Sequence, residues 1–253
     1  MKYHVKLNEE LVKGAKIAIL PGDPGRVEKT AKFISPKAQF LASNREYTSW
    51  MTEANGKNIL VCSTGIGGPS LSIAVEELAG LGIKAFIRIG TTGAIQPFIK
   101  IPSLIITTGA VRLDGASKHY APVEYPAVAD FDITSALIEG AKKTGINFYK
   151  GITASSDTFY PGQERYDTYS KYVIKDFQGS LSEWQKLHVL NFEMESATLF
   201  TIANAFGLKA GCISSVIVNR TQNETPDDKV LAQAEQNLAS AVNYALSILT
   251  INE

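Results

Sequence analysis

Short apolar runs alternate along the chain with longer segments whose apolar residues recur every three or four positions. The runs at 16–20, 57–63 and 104–108 have the length and the β-branched content of buried strands. Between them, the helical spacing of apolar residues predicts a helix over 70–81, which Gly82 ends. This alternation predicts an α/β fold in which helices cover both faces of a sheet.

The same alternation of predicted strands and helices continues over the rest of the chain. Asn55-Gly56 lies between predicted strands at 46–53 and 57–63, and this pair is a strong signal for a hairpin turn. The other predicted elements are, in chain order, a helix from about 26, a strand at 85–89, a helix at 130–143, strands at 147–154 and 189–192, a helix at 196–206, a strand at 209–218 and a helix at 226–249.

Residues 156–187 interrupt this rhythm with aromatic side chains among charges, glycine and proline. Such a stretch is typical of an ordered excursion over the edge of a sheet, where functional residues tend to lie. We find no linker, internal repeat or low-complexity tract. The sequence therefore predicts a single domain over residues 1–253.

Composition removes several classes of function. The chain of 253 residues has 25 acidic and 25 basic residues, and its zero net charge excludes the electrostatic footprint of a nucleic-acid binder. No apolar segment has the length of a signal peptide core or a membrane span. Cys62 and Cys212 lie in apolar runs and are expected to be reduced core residues. A cytoplasmic location follows as an expectation.

Arginine has an uneven distribution that points to chemistry. Only six of the 25 basic residues are arginines, and five of these lie in turns rich in glycine or hydroxyl groups. A guanidinium is a planar fork of donors that matches phosphate or carboxylate oxygens, and glycine lets backbone amides approach the same anion. The five residues, Arg26, Arg45, Arg88, Arg165 and Arg220, predict a pocket for an anion together with a planar polar group.

Arg88 is the sharpest of these signals because it lies inside an apolar strand, where an unpaired charge is costly. An ion pair is one explanation, and we expect such a pair between Arg112 and Asp114. For Arg88, the hydroxyl and amide donors of residues 90–93 favour a phosphate site over a structural pair.

Other motifs are less specific. The glycine-rich segment 65–70 follows a strand, but Ser70 occupies the third glycine position of a dinucleotide fingerprint and no acid ends the next strand. Glu193 and Glu195 flank Met194 at a strand-to-helix junction, where carboxylates cap helices and can also bind sugar hydroxyls. The three histidines lack metal-ligand spacing.

Six segments together resemble the nucleoside phosphorylase family, and they run in order through nearly the whole chain. The segments are residues 21–26, 63–70, 88–94, 158–166, 193–197 and 216–221. The resemblance implies a three-layer αβα domain with a central mixed β-sheet. It also implies phosphorolysis, and the segment around Gln163 with the pair Asn219-Arg220 resembles the uridine-cleaving branch.

The resemblance further implies roles for individual residues. Phosphate, the co-substrate, would be held by Gly22, Arg26, Arg45, Arg88 and Thr91. Ribose would be held by His4, Thr91, Met194 and Glu195, and the base by Gly93, Phe159, Gln163 and Arg165. Arg88, Glu195 and Arg220 would carry catalysis.

The assembly is also implied by the resemblance. Family members suggest a homohexamer built from dimers, in which His4 and Arg45 reach the neighbouring subunit's site. A potassium ion would be held through Glu46, Ile66 and Ser70, and no organic cofactor would be needed. Membranes and nucleic acids are not expected partners.

Three alternative functions are compared with the residues of this sequence. Purine-cleaving members of the family place an Asp after the strand at 209–218 to protonate the base, but this chain has Asn219-Arg220 there. A nucleosidase that uses water would not need the arginine set, and a non-catalytic nucleoside sensor would be expected to have lost Glu195 or one of the arginines. Uridine phosphorolysis is therefore the favoured function over these three.

Overall fold

The computed structural model describes residues 1–222 and 224–251, and its strands and helices alternate as the sequence predicts. The strands are β1 (Ile17–Pro21), β2 (Gln39–Asn44), β3 (Tyr47–Ala54), β4 (Lys57–Cys62), β5 (Ala85–Ala94), β6 (Ser103–Leu113), β7 (Ala127–Val128), β8 (Phe148–Ser156), β9 (Asn191–Glu193) and β10 (Lys209–Asn219). The α-helices are α1 (Glu9–Val12), α2 (Val27–Ile34), α3 (Gly68–Ala79), α4 (Phe131–Thr144), α5 (Ser180–Lys186), α6 (Ser196–Ala205) and α7 (Asp228–Ile248).

Strand β5 is the centre of the sheet. It pairs in parallel with β1 on one side and with β10 on the other, and its last residues pair antiparallel with β9. Because β10, β6, β8 and β9 are also paired in succession, these four strands and β5 form a closed ring. The sheet continues beyond β1 through β4, β3 and β2. Parallel and antiparallel pairs both occur, so the predicted mixed sheet is confirmed.

Helices cover both faces of this sheet. Leu20 packs in a core with residues of α3 and α6, whereas Ile19 packs in a second core with residues of α2, α4 and α7. Neighbouring strand residues point to opposite faces, so β1 supplies both cores. Burying one Leu or Ile side chain contributes about 1.5–3 kcal/mol. The three-layer αβα architecture is therefore confirmed.

Local chemistry explains where these elements begin and end. Asp130 caps α4 by accepting a hydrogen bond from the Ile133 amide, and Gly145 ends this helix in a left-handed conformation. Asn55 and Gly56 both have positive φ between β3 and β4, which confirms the predicted hairpin turn. No helix of the described residues is long and apolar enough to cross a membrane.

The structure departs from the sequence prediction in several places. The short elements α1, α5 and β7 were not predicted, and β5 extends to Ala94 rather than to residue 89. Strand β2 was not predicted either, because three of its six residues are exposed and its apolar run is only three residues long. The predicted Arg112–Asp114 ion pair is wrong. Arg112 donates instead to the carbonyls of Ala121, Pro122 and Tyr125, while Asp114 accepts from Ser117 and Thr198. Carbonyl oxygens of a surface loop thus satisfy this guanidinium.

Candidate active site

A cavity of about 400 Å³ opens where β1, β5 and β10 reach their carboxyl ends. Ligand sites of α/β proteins commonly lie in this position, because loops and helix N-termini meet there. The cavity is lined by ten residues that the sequence analysis assigned to phosphate, ribose or the base: Gly22, Arg26, Arg88, Thr91, Gly93, Phe159, Gln163, Arg165, Met194 and Glu195. Ile66, which was assigned to the potassium site, also borders it. Segments separated by more than 100 residues in the sequence therefore meet in one pocket.

Arg88 and Glu195 form a buried ion pair in this cavity. Arg88 Nη2 donates to Glu195 Oε2 over 2.6 Å, and the two residues are 7% and 3% exposed. Burial opposes the charge on Arg88, but the charge and hydrogen bond of Glu195 outweigh it and raise the pKa of the guanidinium. The ion pair, which the sequence analysis ranked below a phosphate site, is thus present.

Glu195 is fixed from two directions. Its Oε1 accepts from the Gly67 amide at the start of α3 over 2.7 Å, while Oε2 receives Arg88. Arg88 Nη1 donates to the Leu20 and Ile89 carbonyls, which anchors the guanidinium to β1 and β5. The pair is therefore held by backbone of the central strands and by a helix N-terminus.

Glu193 caps the helix that follows the pair. Its Oε2 accepts from the amides of Glu195 and Ser196 at the start of α6, so the capping role considered from the sequence belongs to this carboxylate. Burial, followed by the neighbouring Glu195 charge, raises the pKa of Glu193 to about 6. Oε1 of Glu193 is buried and has no partner among the described residues. Two adjacent carboxylates therefore differ in role: one caps a helix and the other faces Arg88.

We call Gly22, Arg26, Arg88, Thr91 and Glu195 the strand-end group, because they line the cavity at the carboxyl ends of the central strands. Gly22 packs closely against Arg88: a Cβ at this position would lie 3.3 Å from Arg88 Nη2. Asp23 accepts from the Gly25 amide and so shapes the turn that carries Arg26. Arg26 itself contacts Glu235 of α7, with Nε 3.2 Å from Oε1.

A second set of residues, Phe159, Gln163, Arg165, Arg220 and Glu224, forms what we call the loop group. The Arg165 guanidinium lies 4.3 Å from the centre of the Phe159 ring, and Gln163 is buried. Arg220 Nη1 donates to the Gln163 carbonyl over 2.6 Å. Arg165 and Arg220 both contact the carboxylate of Glu224. Arg220 does not line the main cavity but lies behind Arg165.

His4 and Arg45 lie away from the cavity that the other residues line. His4 Nδ1 is 2.8 Å from Glu77 Oε1, and the Asn44 amide donates to the His4 carbonyl over 2.7 Å. Arg45 follows Asn44 in the turn between β2 and β3, where it is exposed with a φ of 55°. Within one chain, the N-terminal segment with His4 and the turn with Arg45 thus contact each other outside the main cavity.

Glu46, Ile66 and Ser70 border a neighbouring cavity of about 490 Å³, which also touches Gly22. Ser70 Oγ donates to the Ile66 carbonyl over 3.1 Å, and Ile66 is 76% exposed. A carboxylate, a carbonyl and a hydroxyl are thus close together. No group of three or more His, Cys, Asp or Glu side chains with metal-binding geometry occurs in the described part of the chain.

Glu224 and Glu235 are site residues that the sequence analysis did not identify. Both follow the segment 216–221, and each reaches an arginine of the site. The acidic residues after Arg220 gave a weak signal, since Glu224 lies four residues from it. Glu235 gave none, because its contact with Arg26 spans more than 200 residues.

Comparison with known proteins adds an independent line of evidence. The model of the Phosphorylase superfamily matches residues 16–250. A uridine phosphorylase of Haemophilus influenzae is 57% identical over 247 residues, which cover 98% of this chain and 98% of that protein. A uridine phosphorylase of Escherichia coli is 57% identical over 95% of this chain and 94% of its own. A guanosine phosphorylase of Halorubrum lacusprofundi is 35% identical over 93% of both chains.

Proposed function

The chain belongs to the phosphorylase superfamily, and from that membership we propose that it catalyses the reversible phosphorolysis of uridine to uracil and ribose 1-phosphate. The resemblance found in the sequence is confirmed by relatives that match almost from end to end. One observation carries the proposal: a single cavity contains Arg26 and Arg88 together with Gln163, Arg165 and Glu195. It thereby offers groups for an anion, a sugar and a polar base.

Phosphate is the proposed nucleophile, bound by the strand-end group. Arg26 and Arg88 supply charged donors, Thr91 a hydroxyl, and Gly22 leaves room for the anion beside the Arg88 fork. Cleavage of the glycosidic bond develops positive charge on the sugar, which an adjacent phosphate stabilises before it bonds to the anomeric carbon. Phosphate enters as a co-substrate, and the step requires no organic cofactor.

Ribose is proposed to bind between these donors and Glu195. A carboxylate held by Arg88 and the Gly67 amide keeps its orientation and can accept hydrogen bonds from sugar hydroxyls. Met194 borders the same cavity and supplies apolar contact. Since one carboxylate contacts both the sugar and a phosphate-binding arginine, binding of the two substrates is coupled through the Arg88–Glu195 pair.

The base leaves with negative charge that the loop group is proposed to stabilise. Uracil spreads this charge over its carbonyl oxygens, and Gln163, Arg165 and Gly93 border the cavity where donors are needed. Phe159 offers its ring as a stacking surface. Arg220 donates to the Gln163 carbonyl and so positions this segment.

A shared active site is part of the proposal. His4 and Arg45 lie outside the cavity of their own chain, and a ribose ligand and a phosphate ligand would come from the partner of a dimer. We propose a homohexamer built from such dimers. Potassium fits the oxygen set of Glu46, Ile66 and Ser70, since hard cations take oxygen ligands and one carboxylate suits a single charge. The ion would bridge subunits rather than take part in the reaction.

A cytoplasmic role in pyrimidine salvage completes the proposal. Cys62 and Cys212 are free and buried, as expected of thiols in a reducing compartment. Purine cleavage is the second candidate because the guanosine phosphorylase of Halorubrum lacusprofundi matches 93% of the chain. Asn219 argues against it: a carboxamide cannot act as the acid that protonates a purine, and this one donates to the carbonyls of Gln96 and Ile99.

The test follows base release from uridine and from inosine by purified protein, with and without phosphate. We expect uracil to appear only with phosphate, accompanied by ribose 1-phosphate, and inosine to react slowly. Equal rates without phosphate would indicate a nucleosidase. Faster turnover of inosine would assign the chain to purines, and binding of uridine without any cleavage would indicate a sensor.

A further inference from the structure

A carboxylate of α7 reaches the arginine that begins α2, outside the motifs that define the site. Glu235 Oε1 lies 3.2 Å from Arg26 Nε, and its Oε2 lies 3.5 Å from Lys29 Nζ. The Arg26 and Glu235 side chains are 24% and 34% exposed, so water screens the contact only in part. Glu235 is therefore one residue removed from the substrate cavity, since it touches a residue that lines it.

The geometry of the contact leaves most of the guanidinium free. The Glu235 carboxylate engages Nε, at the inner edge of the fork, and no hydrogen bond of the described residues uses the two terminal amino groups of Arg26. These amino groups supply four of the five donors of an arginine. An anion in the cavity can therefore bind Arg26 while Glu235 stays in place.

Arg26 also borders a second cavity, which lies between α2 and α7 and has a volume of about 200 Å³. Its lining includes Phe33, Ile89 and Leu238, and Glu235 stands at its edge. The Arg26 side chain thus borders two cavities: the substrate cavity and this one. A long flexible side chain beside open space loses conformational entropy when it is held in one orientation, and a contact such as that with Glu235 offsets this cost.

We propose that Glu235 is a positioning residue that selects the orientation of Arg26 in which its terminal amino groups face phosphate. The inference rests on the proposed function, because it assigns phosphate to Arg26. Lys29 contacts the same carboxylate and offsets part of the repulsion that Glu235 would exert on a phosphate dianion. Glu235 itself does not touch substrate.

Three variants separate this role from a general electrostatic effect. Glu235→Ala removes the contact, whereas Glu235→Gln keeps an oxygen that accepts from Arg26 Nε and removes only the charge. Glu28→Ala is the matched control. It removes an acid from α2, the helix that Arg26 precedes, and the described contact of this acid is with Lys32 rather than with Arg26. A control measurement comes first: cooperative thermal unfolding without phosphate is required of all three variants, to verify that they are folded.

We expect Glu235→Ala to raise the KM for phosphate about fivefold, with kcat and the KM for uridine nearly unchanged. An effect of this size corresponds to the loss of a partly exposed ion pair. The shift in melting temperature that inorganic phosphate induces should shrink in parallel, and this readout needs no turnover. Glu235→Gln should retain most of the wild-type affinity for phosphate, and Glu28→Ala should equal the wild type.

Several results would overturn the inference. An unchanged KM for phosphate in Glu235→Ala means that Arg26 keeps its orientation without this contact, and a lower KM means that Glu235 competes with phosphate. If Glu235→Gln behaves like Glu235→Ala, charge rather than orientation is responsible. Each of these leaves phosphorolysis by the wild type intact. A wild type that neither binds nor requires phosphate would instead overturn the proposed function, and the inference with it.

Discussion

The strand-end group and the loop group, apart from Arg220, line one cavity but are held in place by different means. Arg88 and Glu195 are anchored to backbone. Arg88 donates to the carbonyls of Leu20 and Ile89, and Glu195 accepts from the Gly67 amide. Arg165 and Arg220 are instead joined by Glu224, whose side chain is 41% exposed. The first arrangement is built into the central strands, whereas the second joins two loops through the Glu224 carboxylate and through the Arg220 donation to the Gln163 carbonyl.

The difference separates two tasks that a nucleoside-cleaving site must perform. Stabilising charge at the sugar requires donors that are already in place when the bond breaks, which backbone anchoring provides. For the proposed recognition of the base, Arg165 exchanges the Glu224 carboxylate for base oxygens, so we expect the loop group to rearrange on binding. Variants of the two groups should accordingly differ in kind, the first affecting the reaction and the second affecting selection of the base.

The largest effect is expected from Arg88→Ala. It removes a proposed phosphate ligand and leaves the Glu195 carboxylate buried without its charge partner, so kcat should fall by about 100- to 1,000-fold. The free energy of unfolding should fall by about 3–5 kcal/mol, as for other broken buried pairs. Steady-state kinetics with both substrates and denaturant unfolding measure the two losses.

A double variant, Arg88→Met with Glu195→Leu, is the control for this prediction. It removes both charges and fills the space with apolar atoms, so most of the stability should return while activity stays absent. If Arg88→Ala alone kept wild-type turnover, the strand-end group would not be the reactive half of the site, and the two groups would not divide the reaction and base selection between them.

A second prediction asks whether the strand-end group is completed by another subunit. Arg45→Ala and Arg88→Ala should each be nearly inactive alone, but mixed dimers contain one site with both arginines. After random exchange of subunits, about a quarter of the wild-type activity should return, because half of the dimers are mixed and half of their sites are intact.

The control for this experiment is a mixture of Arg88→Ala with Glu195→Ala. Both of these lesions lie in the pocket of their own chain, so mixing should restore nothing. Native mass spectrometry verifies that subunits have exchanged. Failure of Arg45→Ala and Arg88→Ala to complement each other despite exchange would place Arg45 in the site of its own chain.

The sequence predicted the strand-end group better than it predicted the loop group. Apolar runs located β1, β5 and β10, and the glycine- and hydroxyl-rich segments beside them marked Gly22, which follows β1, and Thr91 and Gly93, which lie in the last part of β5. An arginine inside an apolar run was sufficient to mark Arg88. Its partner could not be predicted with equal force, because the 2.6 Å contact with Glu195 joins residues 107 positions apart.

The rest of the site depends on tertiary structure that leaves little trace in local sequence. Glu224 lies in a polar segment between β10 and α7, where an acid is unremarkable until Arg165 is brought beside it. Glu235 reads as a solvated residue of α7 and pairs with α2 only because the two helices share one face of the sheet. The predicted Arg112–Asp114 pair failed for the same reason, since loop carbonyls compete for a guanidinium.

Among the variants of the two groups, Arg165→Ala is expected to lose the least activity, and it distinguishes the groups from each other. Arg165 is 8% exposed and stacks on Phe159, so its removal takes a donor from the proposed base site and leaves Arg220 as the arginine that still contacts Glu224. We expect kcat/KM for uridine to fall about 10- to 100-fold, in the range for loss of a charged hydrogen bond, while the KM for phosphate stays near that of the wild type. The ratio of kcat/KM for uridine to kcat/KM for inosine should decrease, because the proposed Arg165 contact is with uracil oxygens and not with inosine.

Arg165→Lys sharpens the test, because it keeps the charge but loses the planar fork that faces both Phe159 and Glu224. If recognition depends on the fork, lysine should restore little of the lost selectivity. A parallel rise in the KM for phosphate in either variant would mean that the two groups are coupled, because a disturbance among the loops would then reach residues that the central strands hold. An unchanged preference for uridine would remove Arg165 from base recognition and leave selection to Gln163 and Phe159.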